Sequence, residues 1–386
     1  MSLESKLLMR SAIVHYWLLN MRGGEKVVEA LCRLLPDADV FTLFYDPEKV
    51  SPAIRSHRVR ASFLNPLRRH YRSLLPLFPM ALESMDLRGY DLVISSESGP
   101  AKGVLTSADT RHICYCHSPM RYLWDLYPAY LHDWTRSRWK KTAMAAFGCP
   151  LRVWDYATAA RVDEFIANSR NVQKRIWKAY RRESQVIYPP VAVETFRWMA
   201  PGDSYLIVSE LVAYKRIGDA VRCFTRTGRR LKIVGDGPEY ASLKKQAGPN
   251  VEFCGRVSAG ELRDLYSRCR ALLMPGEEDF GIVAVEAMAS GKPVVALGRG
   301  GVLEAVPPEG RGAAVFYHEP GDAPLEEALQ RFEEVEALVR PTELQAWAER
   351  FSENRFRERM LDMIGRGADA RNAEVFLPRA LEQVGG

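Results

Sequence analysis

Residues 277–295, EEDFGIVAVEAMASGKPVV, decide how the rest of the chain is read. They follow the short apolar run ALLMP and hold two glutamates, Glu278 and Glu286, with seven residues between them. Gly281 separates an acidic loop from a run that predicts a helix over 283–290, and the apolar VVAL follows. Strand, glycine turn, helix and strand make a unit of a parallel sheet, whose ligands bind outside the carboxyl ends of the strands. The first turn of such a helix offers backbone N–H groups without intrahelical partners, here those of Gly281, Ile282 and Val283, and these suit an anion. Glu278, in the loop, can reach a sugar at the phosphate, while Glu286, two turns on, can accept hydrogen bonds from ribose hydroxyls. A solvated loop acid and an ordinary helix acid explain the same residues, so the neighbouring segments must decide.

Those neighbours repeat the pattern. YLIVS, LKIVG, VEFCG, ALLMP and VVAL are short apolar runs separated by helical stretches, as in a parallel sheet covered on both faces. After YLIVS, with Ser209 at its end, come Lys215 and Arg216 where a helix begins, cations well placed for a diphosphate. Gly235 and Gly237 allow a tight turn after LKIVG, although a lone GxG is weak evidence. Gly255 ends VEFCG, and the backbone at Arg256 and Val257 is positioned to read a nucleobase edge.

The first half has the same architecture, with strand candidates SAIVHYW, DVFTLF, DLVISS, GVLT, HICYC and EFIANS. A chain of 386 residues suits two domains, and the double proline at Pro189 and Pro190 marks the boundary. The expected division is 1–187 and 188–349, with 350–386 crossing back onto the first domain. In the first half Gly23 and Gly24 give a loop with exposed N–H groups leading into a helix, a phosphate or acceptor contact. His117 closes HICYC and so stands at the carboxyl edge of the sheet.

Charge separates the halves. Through Pro190 there are 28 Lys and Arg against 18 Asp and Glu, a balance of +10; the remainder has 26 against 30, or −4. Six arginines fall between Arg55 and Arg72, with no acid from Arg55 through Leu82. Arg68, Arg69, Arg72, Arg121, Arg136 and Lys140 stand among Trp, Phe, Tyr and Leu, a mixture suited to a membrane surface carrying anionic lipid. A solvated face remains the plain alternative, and no nucleic-acid motif accompanies the basic residues. The apolar runs are too short to span a bilayer, and the opening residues lack a signal-peptide layout, which together point to the cytoplasm. Seven scattered cysteines argue against a disulfide framework. Cys114 and Cys116, beside His112 and His117, match no common zinc spacing, and Asp37 and Asp39 read as a turn and helix cap rather than a metal-binding pair.

On the residues MRGGEKVVEAL, CYCHSPMRYLWD, FIANSRNVQKRI, VIYPPV, VSELVAYKRI, GDGPE and the two spaced glutamates, the chain resembles the retaining glycosyltransferases of family 4. Within them it looks like the bacterial mannosyltransferases of O-antigen and exopolysaccharide synthesis. The resemblance implies the GT-B fold, an α/β architecture of two Rossmann-like domains with parallel sheets facing across a cleft. It implies that Glu278 contacts the transferred hexose, Glu286 the ribose, Lys215 the diphosphate, and His117 the hexose from the opposite domain. Ser209, Arg216, Gly235, Arg256, Val257 and residues Phe280 to Val283 complete the implied donor contacts, with Gly23 and Gly24 lining the donor–acceptor gap. No cofactor or metal is expected; the implied partners are a nucleotide-sugar donor, GDP-mannose favoured, a polyprenyl-diphosphate-linked saccharide acceptor and the inner face of the plasma membrane. Glu210 departs from the pattern, because many relatives have a diphosphate-clamping Arg there. That departure keeps open a catalytically silent scaffold for lipid-linked saccharide, and UDP-glucose or UDP-N-acetylglucosamine remains an alternative donor.

Overall fold

The computed structural model describes residues 9–135, 137–309 and 312–366. The chain divides into two compact units, one of residues up to 168, 173–190 and from 354 on, the other of 169–172 and 191–353. The division falls at Pro190, and the stretch 169–172 belongs with the second unit.

The first unit is built on β1 (Ser11–Leu18), β2 (Asp39–Tyr45), β3 (Val59–Ala61), β4 (Leu92–Glu97), β5 (Arg111–Cys116), β6 (Glu164–Ala167) and β7 (Ser184–Val186). All pairings are parallel, in the order β3-β2-β1-β4-β5-β6-β7. Alternate residues serve opposite faces, as the pleat demands. Ile13 joins the core with Val27, Val28 and Leu31, while Ala12 and Val14 join the one with Phe44, Phe78 and Leu82. The second unit uses β8 (Ser204–Val208), β9 (Arg230–Val234), β10 (Val251–Gly255), β11 (Leu272–Met274), β12 (Val294–Leu297) and β13 (Ala314–Tyr317), in the order β10-β9-β8-β11-β12-β13. Its pairings are likewise parallel. This is the two-sheet Rossmann-like architecture expected of the GT-B fold.

Three strands, VRA, SQV and AVFY, were not in the sequence reading, and one that was, GVLT, is not a strand. Gly103 closes a 3-10 turn at Ala101–Gly103, and the residues after it run as coil. β4 and β5 already pair directly, so the sheet has no slot between them, and a Cβ at Gly103 would overlap the Trp154 indole. Pro341–Ala348 gives way to a 3-10 turn at Glu349–Phe351, and a further helix runs over 353–366. Between them Ser352 forms a bridge with Val191, and Phe351 is buried against Phe280. The second helix packs Phe356, Met360, Met363 and Ile364 into the core of the first unit. Arg111 holds its end, donating to the carbonyls of Ile364 at 2.7 Å and Met363 at 2.9 Å, where a cation also suits the helix dipole. Residues 367–386 lie outside the described residues.

One buried charged cluster organises the first unit. Lys102, fully buried, pairs with Asp155 and lies 3.4 Å from Glu97. Asp155 also accepts from Trp124 Nε1 at 2.7 Å and Tyr180 Oη at 2.9 Å. Two acids against one cation leave an excess negative charge in a dry site, which burial penalises. Glu97 is pushed up to about 7 by burial first; Lys102 works against the shift and Asp155 with it. A carboxyl whose folded value is raised contributes stability below its unfolded value and loses it as pH rises through about 7. Lys102→Met should therefore cost about 3–5 kcal/mol by leaving buried carboxylates uncompensated. Glu97→Gln should gain on wild type between pH 5.5 and pH 8, read by urea unfolding at both; a constant gap would show Glu97 ionised throughout.

Candidate functional site

Each sheet reverses its strand order once. The second unit runs outward through β8, β9 and β10, then restarts at β11 on the other side of β8. Connections leave β8 and β11 in opposite directions, so a crevice opens beyond their carboxyl ends. Lys215 lies in the loop after β8 and Glu278 in the loop after β11, and their side chains form an ion pair there. Burial works against the Lys215 charge, but Glu278, helped by Tyr214, raises its pKa above the usual lysine value. The amine is a fixed cation.

Glycines let the loops meet. A Cβ on Gly276 would stand 2.6–2.8 Å from the Cα, C and O of Lys215, so only glycine admits that backbone. Gly300 and Gly301 similarly lie against the carbonyls of Glu278 and Asp279, and the Gly301 N–H donates to the Glu278 carbonyl at 2.8 Å. Gly281 takes φ +98° and caps the helix Ile282–Ala289, whose opening amides include Ile282 and Val283. Glu286 is buried on that helix and accepts from Tyr266 Oη at 2.8 Å. Gly235, at φ +133°, packs on the Ser209 carbonyl, where any side chain would overlap.

Other expected donor contacts sit differently. Arg216, at φ +55°, caps the helix Ile217–Thr227, and its guanidinium donates to Asp219 at 2.7 Å. Arg256 is exposed, 3.7 Å from Asp236, with Val257 half-buried beside it. Phe280 is buried in the core against Phe351, so its ring is packing and only its backbone faces the loop. Glu210 is half-buried after β8, and its carbonyl accepts from Ser209 Oγ at 3.1 Å.

The first unit has its own reversal, between β1 and β4. Gly23 opens the helix Gly23–Leu34 after β1, and Glu25 accepts from the Arg22 N–H at 3.1 Å, fixing that turn. A Cβ on Gly24 would stand 3.5 Å from His15 Cε1 and 3.6 Å from His117 Nε2. His117 Nε2 lies 2.9 Å from Ser96 Oγ, and His15 Nδ1 donates to the Ser96 carbonyl at 2.8 Å. His15 is pushed down to about 3 by burial and then by His117, so it is neutral. Sequence reasoning missed His15 and Ser96, although a histidine inside SAIVHYW and the paired serines of DLVISS were the signal: polar side chains on central strands need partners.

On the surface of the first unit Arg68, Arg69 and Arg72 are exposed along Asn65–Leu77, with Phe63, Leu67, Leu77 and Met80 also exposed. Arg121 departs from the expectation: its side chain is 13% exposed and meets Asp125 at 3.3 Å. Arg136 and the Lys140 side chain lie outside the described residues. The helix Arg138–Thr158 exposes Trp139, Phe147, Val153 and Tyr156. No described helix is long and apolar enough to cross a membrane. Among the described residues no group of three His, Cys, Asp or Glu is arranged to hold a metal, and Asp39 is instead bound to Arg60 and Tyr90. Cys114 and Cys116 are buried free thiols.

Comparison with known proteins bears on these two reversals. The family described as "Glycosyl transferases group 1" matches residues 204–334, and "Glycosyltransferase Family 4" matches 21–195. The solved structure of Anabaena HepE in complex with UDP and glucose covers 92% of this chain and 99% of its own, at TM-score 0.67 and 17% identity. The chain has the GT-B fold of the group 1 and family 4 glycosyltransferases. This GT-B chain is 38% identical over 95 residues to a sulfoquinovosyl transferase of Arabidopsis thaliana, covering 24% of this chain and 19% of that one. It is 32% identical over 133 residues to a GDP-mannose-dependent alpha-mannosyltransferase of Mycobacterium tuberculosis, 33% of this chain and 35% of that one. The chain thus spans well under two thirds of the curated relatives it matches.

Gly276→Ala should force the Lys215 loop away from its pair with Glu278. We expect a loss of about 1–3 kcal/mol from overpacking and faster amide exchange confined to 209–216; unchanged exchange there would remove Gly276 from the site's support.

Proposed function

We propose that the chain is a retaining, metal-independent glycosyltransferase that moves a hexose from a nucleotide-diphosphate sugar to a saccharide carried on a polyprenyl diphosphate. The observation that carries this reading is the Lys215–Glu278 pair at the β8/β11 reversal, beside the helix that opens at Gly281. Cleaving a sugar–phosphate bond builds positive charge on the sugar and negative charge on the departing diphosphate. A fixed ammonium and the free amides of a helix N-terminus stabilise the latter, which is the work a metal ion does elsewhere. The diphosphate exchanges with the Glu278 carboxylate for the Lys215 amine, and the carboxylate so released takes the hexose hydroxyls. Glu286, oriented by Tyr266, takes the ribose. With Arg216 engaged by Asp219 and a carboxylate at Glu210, the clamp rests on Lys215 and the amides rather than on arginine.

The favoured donor is GDP-mannose, supported by the resemblance to mannosyltransferases and by the matched GDP-mannose-dependent relative. UDP-glucose is the second reading, favoured by the UDP and glucose held by Anabaena HepE. The exposed arginines Arg68, Arg69 and Arg72, among exposed Phe63, Leu67, Leu77 and Met80, support docking on an anionic membrane surface at the cytoplasmic face, where such acceptors are held. Catalysis needs no resident cofactor in this scheme.

A panel of GDP- and UDP-sugars in EDTA, supplied with polyprenyl-diphosphate saccharide, should give turnover of one donor. Silence across the panel would favour a binding scaffold. Lys215→Ala should lower turnover about 100-fold or more, as loss of an oxyanion donor does; near-normal turnover would overturn its role. Liposomes with anionic lipid should float the wild type but not the Arg68→Ser, Arg69→Ser, Arg72→Ser triple variant, and equal flotation would discard that surface.

A further inference from the structure

β1 carries a histidine at its middle, where a polar side chain has to find partners. His15 is fully buried, and its Nδ1 lies 2.8 Å from the carbonyl oxygen of Ser96, its register partner on β4. A carbonyl has no hydrogen to give, so the ring hydrogen is on Nδ1. Burial, and then His117, hold the ring uncharged, with its pKa lowered to about 3. Nε2 is therefore a bare lone pair. It is buried and meets no hydrogen-bond partner among the described residues. Native folds leave few such atoms unmatched, because each costs about 1–3 kcal/mol. The edge of the ring that carries this lone pair borders a space kept open by a glycine. Gly24 lies half-buried in the first turn of the helix Gly23–Leu34. A Cβ there would stand 3.2 Å from Tyr16 Oη, 3.5 Å from His15 Cε1 and 3.6 Å from His117 Nε2. Cε1 is bonded to Nε2, so the lone pair is one atom from that contact. All four residues belong to the first unit.

We propose that the space over Gly24 is a hydroxyl subsite in which His15 Nε2 accepts the hydrogen of one saccharide hydroxyl, making His15 a specificity-determining residue. A gap that a methyl would fill is also the size of a hydroxyl. An alcohol oxygen accepts from helix amides, which have no intrahelical acceptor in the first turn, while its hydrogen goes to a lone pair. A phosphate dianion has acceptor atoms only, and at Nε2 it would set lone pair against lone pair. The subsite therefore narrows the phosphate-or-acceptor reading of this turn to a neutral sugar. The inference rests on the reading of the chain as a glycosyltransferase. The hydroxyl belongs either to the transferred hexose or to the acceptor saccharide, and two arms of the test tell these apart.

In the full chain labelled with ¹⁵N-histidine, His15 Nε2 is the pyridine-like nitrogen resonance lost in His15→Asn. The asparagine amide can still donate to the Ser96 carbonyl, so this variant deletes the lone pair and keeps the strand contact; thermal melting checks its fold. GDP-mannose or UDP-glucose alone should move the resonance upfield if the hydroxyl is the donor's. A polyprenyl-diphosphate saccharide alone should move it if the hydroxyl is the acceptor's. Inorganic phosphate should leave it in place. A resonance that no saccharide moves overturns the proposal and assigns Nε2 to a trapped water. With the donor that turns over, monodeoxy analogues of the hexose and of the acceptor sugar identify the hydroxyl. In wild type one analogue should lose about 10-fold in kcat/KM, the worth of one hydrogen bond, and His15→Asn should use that analogue and its parent alike. Gly24→Ala, which fills the space from the helix and leaves the imidazole intact, should erase the same discrimination. Equal discrimination in wild type and both variants overturns the proposal and leaves the transferase reading standing. A moved resonance in a protein that turns over no nucleotide sugar upholds the subsite and overturns the transferase reading instead.

Discussion

A parallel sheet that reverses its strand order leaves a gap at its carboxyl edge that no connection covers, and both units of this chain are organised around one. The constraint comes from chain handedness: right-handed crossovers placed on either side of the starting strand must depart on opposite faces. Whatever residues follow the two central strands then converge without further folding. In the second unit these are a lysine and a glutamate, of opposite charge and brought close by glycine. In the first a glycine turn follows β1, and Ser96 near the end of β4 meets His117 after the neighbouring β5. Chemistry differs between the units while the geometry that gathers it is shared.

The fold was legible because the apolar runs are short, β-branched and spaced by helical stretches, a pattern that depends only on local periodicity. The positions of Glu278, Lys215 and Gly281 were legible for the same reason, since each lies in the loop after a strand, and Glu286 follows on the helix that Gly281 opens. What the sequence hid was pairing across long separations. One local pairing was hidden as well: Arg216, at an αL helix cap, donates to Asp219 three residues on. Phe280 reads as part of a loop until Phe351, far along the chain, buries it. Strands of three or four residues, such as VRA and AVFY, carry too few alternations to announce themselves. GVLT carries the right residues but has no vacancy in the sheet.

The chain also shows two treatments of buried charge. Lys102 sits between Glu97 and Asp155, where every neighbour is a permanent part of the fold. The pairing is closed and serves to fix the segments that carry Trp124 and Tyr180. Lys215 has a single carboxylate in its ion pair and lies at a loop edge. The same residue type is thus enclosed by fixed partners in one unit and set at a loop edge in the other, paired with one carboxylate.

The helix at 353–366 belongs to the core of the first unit although the whole of the second precedes it in the chain. During synthesis, therefore, the second unit is complete and able to fold while the first still lacks Phe356, Met360 and Met363 and the carbonyls that Arg111 binds. The order of maturation is inverted with respect to the order of translation. Until the last turn emerges, the nascent first unit exposes an apolar groove along one face of its sheet, and a chain with residues up to 353 clear of the ribosome would carry one finished domain and one unfinished one.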